Sequence, residues 1–402
     1  MYTLDLDIIS TFILTISLYL FGKFITNKIY ILNKFCIPSP VAGGLFFSLL
    51  AFILKYFNVL EINMNTTLMP YFMSFFFTIV GLGVSFSLLK KGGKTLIIYW
   101  FICAFLGFSQ NIITIILSKI INIDPLLALM CGSVSMEGGY GYSLAFGTTL
   151  ENIGVNNACS VGFAAATLGL IMGGIIGGPV AKFLIEKYKL KASITTYSIQ
   201  KSKSDSKKSS SILSTSDSIF FEQVLVVLIC MTLGDMLAKI LNISFGIVVP
   251  GIVGCIFTAV IFRNIDDKIK IIKLDFNLLN FLQDLSLGMF LTMALMSIDF
   301  FTLSSLFGPI LLIVLSQVVF IIIYSSTICF KILGKNYDAA VIISGLLGHG
   351  LGATPNALAN MNSVTHKYGD SVNAFIVVPL VAAFLLDIFS MPCILFFINL
   401  LS

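Results

Sequence analysis

Long uninterrupted apolar runs restrict this chain more than any other feature of its sequence. The runs TFILTISLYLF (11–21) and PILLIVLSQVVFIIIYSSTICF (309–330) contain no charged residue. An apolar stretch of about 18 residues or more can cross the hydrocarbon of a bilayer as a helix. Charged residues make up 11% of the chain, whereas a soluble protein carries about 25%. The sequence therefore predicts an all-α integral membrane protein surrounded by a lipid bilayer, with no nucleic-acid partner.

A polar connector divides the apolar segments into two groups of five. The connector, residues 187–217, is rich in Lys and Ser, which is typical of a flexible link. A Gly-rich stretch precedes the last segment of each group, and its glycines would weaken a continuous helix. We therefore predict two re-entrant hairpins, at about 125–147 and 338–358, and two halves, 1–186 and 218–402. The predicted spans lie at about 8–28, 38–57, 68–89, 95–120 and 158–186, and at about 219–241, 245–262, 278–298, 305–333 and 372–399.

Basic residues predict the orientation. If the N-terminus lies outside and neither hairpin crosses the membrane, 21 of the 24 Lys and Arg residues lie on the cytoplasmic side. Only Lys55, Lys119 and Lys239 then lie outside, which is a strong positive-inside bias. Counting the first Gly-rich stretch as a full span would place the lysines of the connector outside. The charges thus favour re-entrant hairpins, a cytoplasmic connector and both termini outside.

A weak internal repeat supports the division into halves. Three residues of the second span, Pro40, Gly44 and Phe47, align with a Pro, a Gly and a Phe at 250, 254 and 257. At the hairpin tips, Gly138 aligns with Gly348. Halves with an odd number of spans have opposite orientations in the membrane. Two inverted repeats of five transmembrane helices, each with a re-entrant hairpin, are typical of secondary transporters.

The second hairpin, SGLLGHGLGATPNALANM (344–361), has the features of a binding site for a carboxylate. Thr354 followed by Pro355 is a helix-start signal, with Thr as the N-cap and Pro at the first helical position. The unpaired N–H groups of a helix N-terminus attract an anion. The alternative is that this pair of residues only shapes a tight turn. The predicted substrate-binding residues here are Gly348, His349, Gly350, Gly352, Thr354, Asn356 and Asn360.

The first hairpin, SVSMEGGYGYSLAFG (133–147), places polar groups around three glycines. Its acidic residue at 137 is costly inside a membrane, so it either lies at the wet edge of the hairpin or binds a cation. The predicted substrate-binding residues here are Ser135, Glu137, Gly138, Gly139, Tyr140, Gly141, Tyr142 and Ser143.

Polar residues inside other apolar runs are candidates for cation coupling. Asp387, in AFLLDIFSM, is predicted either to couple transport to sodium or a proton, or to form a structural hydrogen bond. Arg263 is the only arginine and lies at a span end, so a carboxylate substrate would depend on helix N-termini, hydroxyls, amides and a co-transported cation. Amide side chains in the spans either join helices or help to bind Na+. The tentative sodium ligands are Asp387, Asn111, Gln110 and Gln317.

Several stretches along both halves together form a specific pattern. They are IPSPVAGGL (37–45), QN (110–111), DPLLAL (124–129), FAAATLGLIMGGIIGGPVAKFL (163–184), LTMALM (291–296), GKNYDAAV (334–341), GLGATPNALANM (350–361) and FLLDI (384–388). In these stretches the chain resembles the bacterial sodium/glutamate symporter (ESS) family, over nearly its whole length apart from the connector. The resemblance implies the two inverted repeats, a homodimer in the bacterial inner membrane, and elevator-like symport of glutamate with Na+ as the coupling ion.

The first hairpin departs from the pattern of that family. The family pattern is close to SGGHGT, whereas this chain has EGGYGY at 137–142. The alternative function is therefore a proton- or sodium-coupled carrier or exchanger for another small amino acid or carboxylate. A channel would favour a continuous polar pore. The inverted halves disfavour a channel. An intramembrane enzyme would need acid, base or metal groups clustered at depth, which the scattered carboxylates and two histidines do not provide.

Overall fold

The computed structural model describes residues 2–30, 32, 37–85, 89–192, 217–245, 249–270, 272–298, 300–352 and 354–402. Most of the predicted connector (187–217) lies outside these ranges. In the first half, the elements are β1 (Tyr2–Leu6), α1 (Ile8–Lys28), α2 (Ser39–Tyr56), β2 (Leu60–Met64), α3 (Met69–Gly83), α4 (Leu89–Ile121), α5 (Pro125–Leu129), α6 (Ser133–Met136), α7 (Gly139–Asn152) and α8 (Ala158–Lys187).

The described residues of the second half form helices and no strand. Its elements are α9 (Asp217–Phe245), α10 (Gly251–Ile269), α11 (Phe276–Met296), α12 (Phe300–Tyr324), a π-helical turn (Ser325–Cys329), α13 (Phe330–Ile332), α14 (Tyr337–His349), α15 (Thr354–Tyr368), α16 (Val372–Leu380), a second π-helical turn (Val381–Leu385) and α17 (Asp387–Leu401).

Each predicted span corresponds to a helix. Seven helices of the described residues are long and apolar enough to cross a membrane, and the bent pair Val372–Ala383 and Asp387–Leu401 would make eight. The helix Met69–Gly83 is apolar but shorter, and Gly251–Ile269 carries charged residues in its last two turns. Inside α4, Gly93 has φ +60°, so the continuous apolar helix begins there. An all-α membrane protein is thus confirmed.

One small sheet was not predicted. Strands β1 and β2 pair in parallel, with Tyr2 opposite Leu60 and Leu6 opposite Met64. The helices α1 and α2 run between them as a close pair, so the two strands come together at the same end of that pair. No local pattern marks such short strands, because each depends on a partner more than fifty residues away.

The helices form two bundles, and each bundle takes elements from both halves of the chain. The first bundle contains α1, α2 and α3 together with α9, α10 and α11. The second bundle contains α4 to α8 together with α12 and α14 to α17. Contacts are extensive within each bundle, whereas few contacts join the two. We call them the outer-helix bundle and the hairpin bundle.

Contacts in the outer-helix bundle come in matching pairs. The packing of α1 on α2 is matched by that of α9 on α10, and the packing of α3 on α10 by that of α11 on α2. Both close pairs cross at glycines: a Cβ on Gly43 would overlap the carbonyl of Leu18, and a Cβ on Gly254 would overlap that of Gly234. The corresponding N-caps are Pro38 and Pro250. The predicted match of Pro40 with Pro250 stays a prediction, since helix ends vary by one or two residues.

Candidate functional site

The two Gly-rich segments meet at their tips. Gly139, at the start of α7, has φ +58°, and a Cβ on it would lie 3.1 Å from the carbonyl oxygen of Gly352. Both the positive φ and the close approach favour glycine. Gly138 lies against the ring of Tyr142, and Gly348 lies against the backbone of Ala357 in the opposite helix of its pair. The structure thus brings the two groups of predicted site residues together.

Helix α8 packs against both Gly-rich segments through a row of glycines. A Cβ on Gly162 would lie 2.8 Å from Cβ of Ser143 in α7. Further along the helix, a Cβ on Gly169 would overlap the carbonyl of Leu351, and one on Gly173 would lie 3.1 Å from that of Gly348. Small residues four apart form one face of a helix and permit close packing in membranes. This face holds the two tips together.

Two asparagines of α15 attach the second segment to the same face. Asn356 Nδ2 donates to the carbonyl of Leu170 at 2.6 Å, and Asn360 Nδ2 donates to that of Gly173 at 2.9 Å. Asn356 Oδ1 is buried and has no hydrogen-bond partner within the described part of the chain. Helix α15 begins at Thr354, one residue before the predicted first turn, and Thr354 is half-buried.

Amide side chains connect α4 to the tips and to α12. Gln110 Nε2 donates to the carbonyl of Gly350 at 2.9 Å, and Gln317 Nε2 donates to the carbonyl of Gln110 at the same distance. Asn111 Oδ1 accepts from both N and Oγ of Ser133 at 2.9 Å. The structure thus shows that these amide side chains join helices, which is one of the two roles predicted for them. The Oε1 atoms of Gln110 and Gln317 are buried without a partner, so the tentative assignment of these amides to sodium stays a prediction.

His349 lies at the tip of the second segment and contacts α4. Its Nε2 lies 2.6 Å from the hydroxyl oxygen of Tyr99 and 3.9 Å from Cys103 Sγ, whereas its Nδ1 is buried without a partner. Sequence reasoning missed Tyr99. A signal for it exists, because Tyr99, Cys103, Gly107 and Gln110 recur at helical spacing along α4 and mark a polar and small face inside an apolar run.

The hydroxyls of the first segment mostly hold that segment together. Ser135 Oγ bonds to the carbonyl of Met130, lies 3.0 Å from Ser143 Oγ and donates to the carbonyl of Gly162 at 2.9 Å. The Tyr140 hydroxyl lies 3.1 Å from Thr167 Oγ1 of α8. These contacts explain why the segment has a defined shape. They do not test whether the same residues also bind a substrate.

Glu137 lies at the end of α6 and is 9% exposed. The wet-edge alternative is therefore wrong for this structure. Ser390 Oγ of α17 donates to Glu137 Oε2 at 3.1 Å, and Glu137 Oε1 has no partner. Helix α4 approaches the carboxyl group closely because Gly107 has no side chain; a Cβ there would lie 2.5 Å from Oε2.

Asp387 begins α17, and Leu386 separates it from the π-helical turn Val381–Leu385. The Tyr142 hydroxyl donates to Asp387 Oδ1, so the first segment contacts α17 at a second point. The only tryptophan, Trp100, donates from Nε1 to the carbonyl of Leu385 at 2.7 Å. That carbonyl is free because the N–H of Phe389 bonds to Leu386 instead. Breaks of this kind are frequent at functional sites.

A cavity of about 200 Å³ lies beside Asp387, between the two bundles. Its walls are apolar except for Asp387, and they come from both bundles: Val84, Ile256, Phe257, Val260, Ile261, Asp387 and Ile388. Within the part of the chain that the structure describes, no group of three or more His, Cys, Asp and Glu residues forms a metal site. Chemistry at the tips therefore depends on amides, hydroxyls, one imidazole and two carboxyl groups.

Comparison with known proteins gives a consistent result. The family model described as the sodium/glutamate symporter matches residues 4–370. The chain is 35% identical over 387 residues to the sodium/glutamate symporter of Escherichia coli (strain K12), covering 95% of each chain. It is also 35% identical over 370 residues to that of Haemophilus influenzae, covering 92% of this chain and 91% of the relative. With its apolar helices, it is a multi-pass membrane protein of a transport family and not an enzyme. The chain belongs to the sodium/glutamate symporter family.

Proposed function

We propose that this protein is a secondary active transporter that carries glutamate across the bacterial inner membrane by symport with Na+. The observation that supports it most is the meeting of two Gly-rich tips on the glycine face of α8, surrounded by buried polar atoms without partners. Buried polar groups are normally paired, so unpaired ones at a site point to a ligand. The names of the relatives favour glutamate and sodium as that cargo.

The carboxylates of the substrate would meet N–H donors at these tips. Helix α15 directs its N-terminus, at Thr354, towards the turn that contains Gly352, and a helix N-terminus attracts anions. The Nδ1 atom of His349 is a second candidate, because it is buried and unpaired. The predicted site glycines permit close approach to the backbone. No arginine is needed for this arrangement.

The sodium ion would be bound through oxygen atoms. Asp387 supplies a negative charge, and the amide oxygens of Gln110, Gln317 and Asn356 are buried without partners. Carboxylate and amide oxygens are the usual ligands of hard cations. Sodium is here part of the cargo, and its charge would offset that of the substrate.

Inverted repeats and elevator-like movement are part of the proposal. The matching contacts of the outer-helix bundle support two related halves, and the five spans predicted for each make them inverted. The sparse contacts between the bundles support movement of the hairpin bundle, with its two re-entrant hairpins, against the outer-helix bundle. We further propose a homodimer, both termini outside, and a cytoplasmic connector between the repeats 1–186 and 218–402.

Transport in proteoliposomes tests the function. With sodium outside, labelled glutamate should accumulate, and unlabelled glutamate inside should accelerate its entry. Replacement of sodium by choline should abolish accumulation, since choline is too large for a site of this kind. Uptake that is equal in choline would contradict sodium coupling, and absence of glutamate uptake under all gradients would contradict the substrate.

A carrier for another small amino acid or carboxylate, coupled to protons or sodium, is the second candidate. Glu137 favours it, because an acidic side chain near the tips would repel an acidic substrate while it is charged. A thermal-shift screen of amino acids and carboxylates, with and without sodium, separates the two candidates. The true substrate should raise the unfolding temperature by linkage, and glutamate without any effect would favour this candidate.

A further inference from the structure

The carboxyl group of Glu137 is buried and forms no ion pair with a described basic residue. Among the residues that the structure describes, its Oε1 has no partner and its Oε2 has one, the hydroxyl of Ser390. The ion pairs found among the described residues do not include it; they are Lys55–Glu61, Lys182–Glu186, Lys239–Asp235 and Arg263–Asp267. An ionised carboxylate that is buried with a single hydroxyl donor and no base is strongly disfavoured.

The packing around Glu137 does not stabilise a negative charge on its carboxyl group. Gly107 of α4 lies directly against the carboxyl group, where a Cβ would be 2.5 Å from Oε2 and 3.2 Å from Cδ. A neutral carboxylic acid fits this environment, since it carries its own hydrogen and needs few partners. The same pocket would have to rearrange to surround a carboxylate with donors.

The other titratable groups close enough to interact electrostatically with Glu137 do not supply a positive charge. They are Tyr99 and Cys103 of α4, Tyr142 of α7, Tyr324 of α12, and Asp387 and Cys393 of α17. Asp387 is the only other acid among them, and it accepts the Tyr142 hydroxyl. Two neighbouring acids without a base disfavour simultaneous ionisation, so a charged Asp387 favours the neutral form of Glu137.

We propose that Glu137 binds a proton that travels with the substrate, which adds a proton to the cargo of the sodium-coupled symport. The inference rests on the proposed function. The proton comes from water on the side of entry, forms the O–H bond of the Glu137 carboxylic acid, and returns to water on the other side. Nothing is oxidised or reduced. Glu137, Ser390 and Gly107 all belong to the hairpin bundle, so the proposed movement of that bundle would carry the proton site together with the substrate.

Infrared spectroscopy tests the bound proton without any substrate. The carbonyl stretch of a protonated carboxylic acid is expected at neutral pH in the unaltered protein, and it should be lost in Glu137→Gln. Glu151→Gln is the matched control, because Glu151 lies on the same hairpin and is exposed; this variant should keep the band. A band that survives Glu137→Gln, or one lost only in Asp387→Asn, would overturn the proposal.

Proteoliposomes with a trapped pH-sensitive dye test movement of the proton. Sodium-driven glutamate uptake should acidify the lumen of vesicles holding the unaltered protein or Glu151→Gln. In Glu137→Gln the number of protons per glutamate should fall to zero at whatever rate remains. Glutamate uptake without acidification would overturn the proposal and leave the proposed function intact. Absence of uptake alone would contradict the proposed function, while the infrared band still decides whether Glu137 holds a proton.

Ser390→Ala provides a second test of the bound proton if Glu137→Gln does not fold. This variant leaves the carboxyl group in place and removes the one hydrogen-bond donor that the described residues offer it. The carbonyl stretch of the Glu137 acid should then shift, because it loses the contact with Oε2. A stretch that does not move in folded Ser390→Ala would mean that the band arises from another acid, which overturns the proposal.

Discussion

At the scale of single residues, the contact between Tyr99 and His349 links the tautomer of the imidazole to the Tyr99 hydroxyl. The Tyr99 hydroxyl and His349 Nε2 are 2.6 Å apart. A hydroxyl that donates to Nε2 leaves the proton of the neutral ring on Nδ1, which is buried without a partner. His349 would then present an N–H donor to a carboxylate, and Tyr99 would act as its positioning residue.

Tyr99→Phe removes the hydroxyl and keeps the ring, so the imidazole is free to take either tautomer. We expect the KM for glutamate to rise about fivefold, as for the loss of one hydrogen bond near 1 kcal/mol, with little loss of folded protein. Tyr71→Phe is the control, because the Tyr71 side chain is 65% exposed. Equal KM values for Tyr99→Phe and the unaltered protein would show that this contact is only structural.

Thr354 at the start of α15 gives a second test at this scale. Its side chain is half-buried and makes no hydrogen bond to another described residue. Thr354→Val keeps the shape and removes the hydroxyl, so we expect glutamate to bind about fivefold more weakly. Titration of the folded variant by calorimetry, with sodium present, measures this change. Unchanged binding would remove Thr354 from the site.

At the scale of elements, the sequence predicted the helices well and their ends less well. Asp124 caps α5 through the N–H groups of Leu126 and Leu127. In the second Gly-rich segment the cap of α14 is Asn336, whereas Asp338, two residues later, accepts from Ser371. A cap depends on local dihedral angles, and residues two positions apart offer the same chemistry. The burial of Glu137 could not be predicted either, because it depends on α4 and α17, which are distant in sequence.

The glycine face of α8 gives a test of how the second Gly-rich segment is held. A Cβ on Gly169 would overlap the carbonyl of Leu351, whereas a Cβ on Gly178 would meet nothing within 4 Å. Gly169→Val should therefore push α14 and α15 away from α8 and reduce glutamate uptake at least about tenfold. Gly178→Val makes the same chemical change on the same helix and should transport normally. Similar uptake by both variants would contradict the packing described here.

At the scale of the whole molecule, the arrangement in two bundles depends on packing that no local pattern encodes. The sequence indicated two halves divided at the connector, and each half contributes to both bundles. The contacts between helices of different halves form only when the two halves pack against each other. The residues that line the candidate site, from Gln110 to Asp387, all lie in the hairpin bundle. Movement of that bundle as a rigid body would therefore keep the geometry of the site.

A cross-link between the bundles tests this movement. Ile256 and Ile388 line the same cavity from opposite bundles, so Ile256→Cys with Ile388→Cys, in a chain without its native cysteines, should be joined by a short bifunctional reagent. We expect the joined protein to keep glutamate binding and to lose uptake, because the bundles can no longer slide. Leu18→Cys with Met296→Cys is the matched control, since both residues lie in one apolar cluster of the outer-helix bundle. Cross-linking there should leave uptake intact. Full uptake by protein joined across the cavity, with the extent of cross-linking measured by mass, would mean that the substrate crosses while the bundles stay fixed.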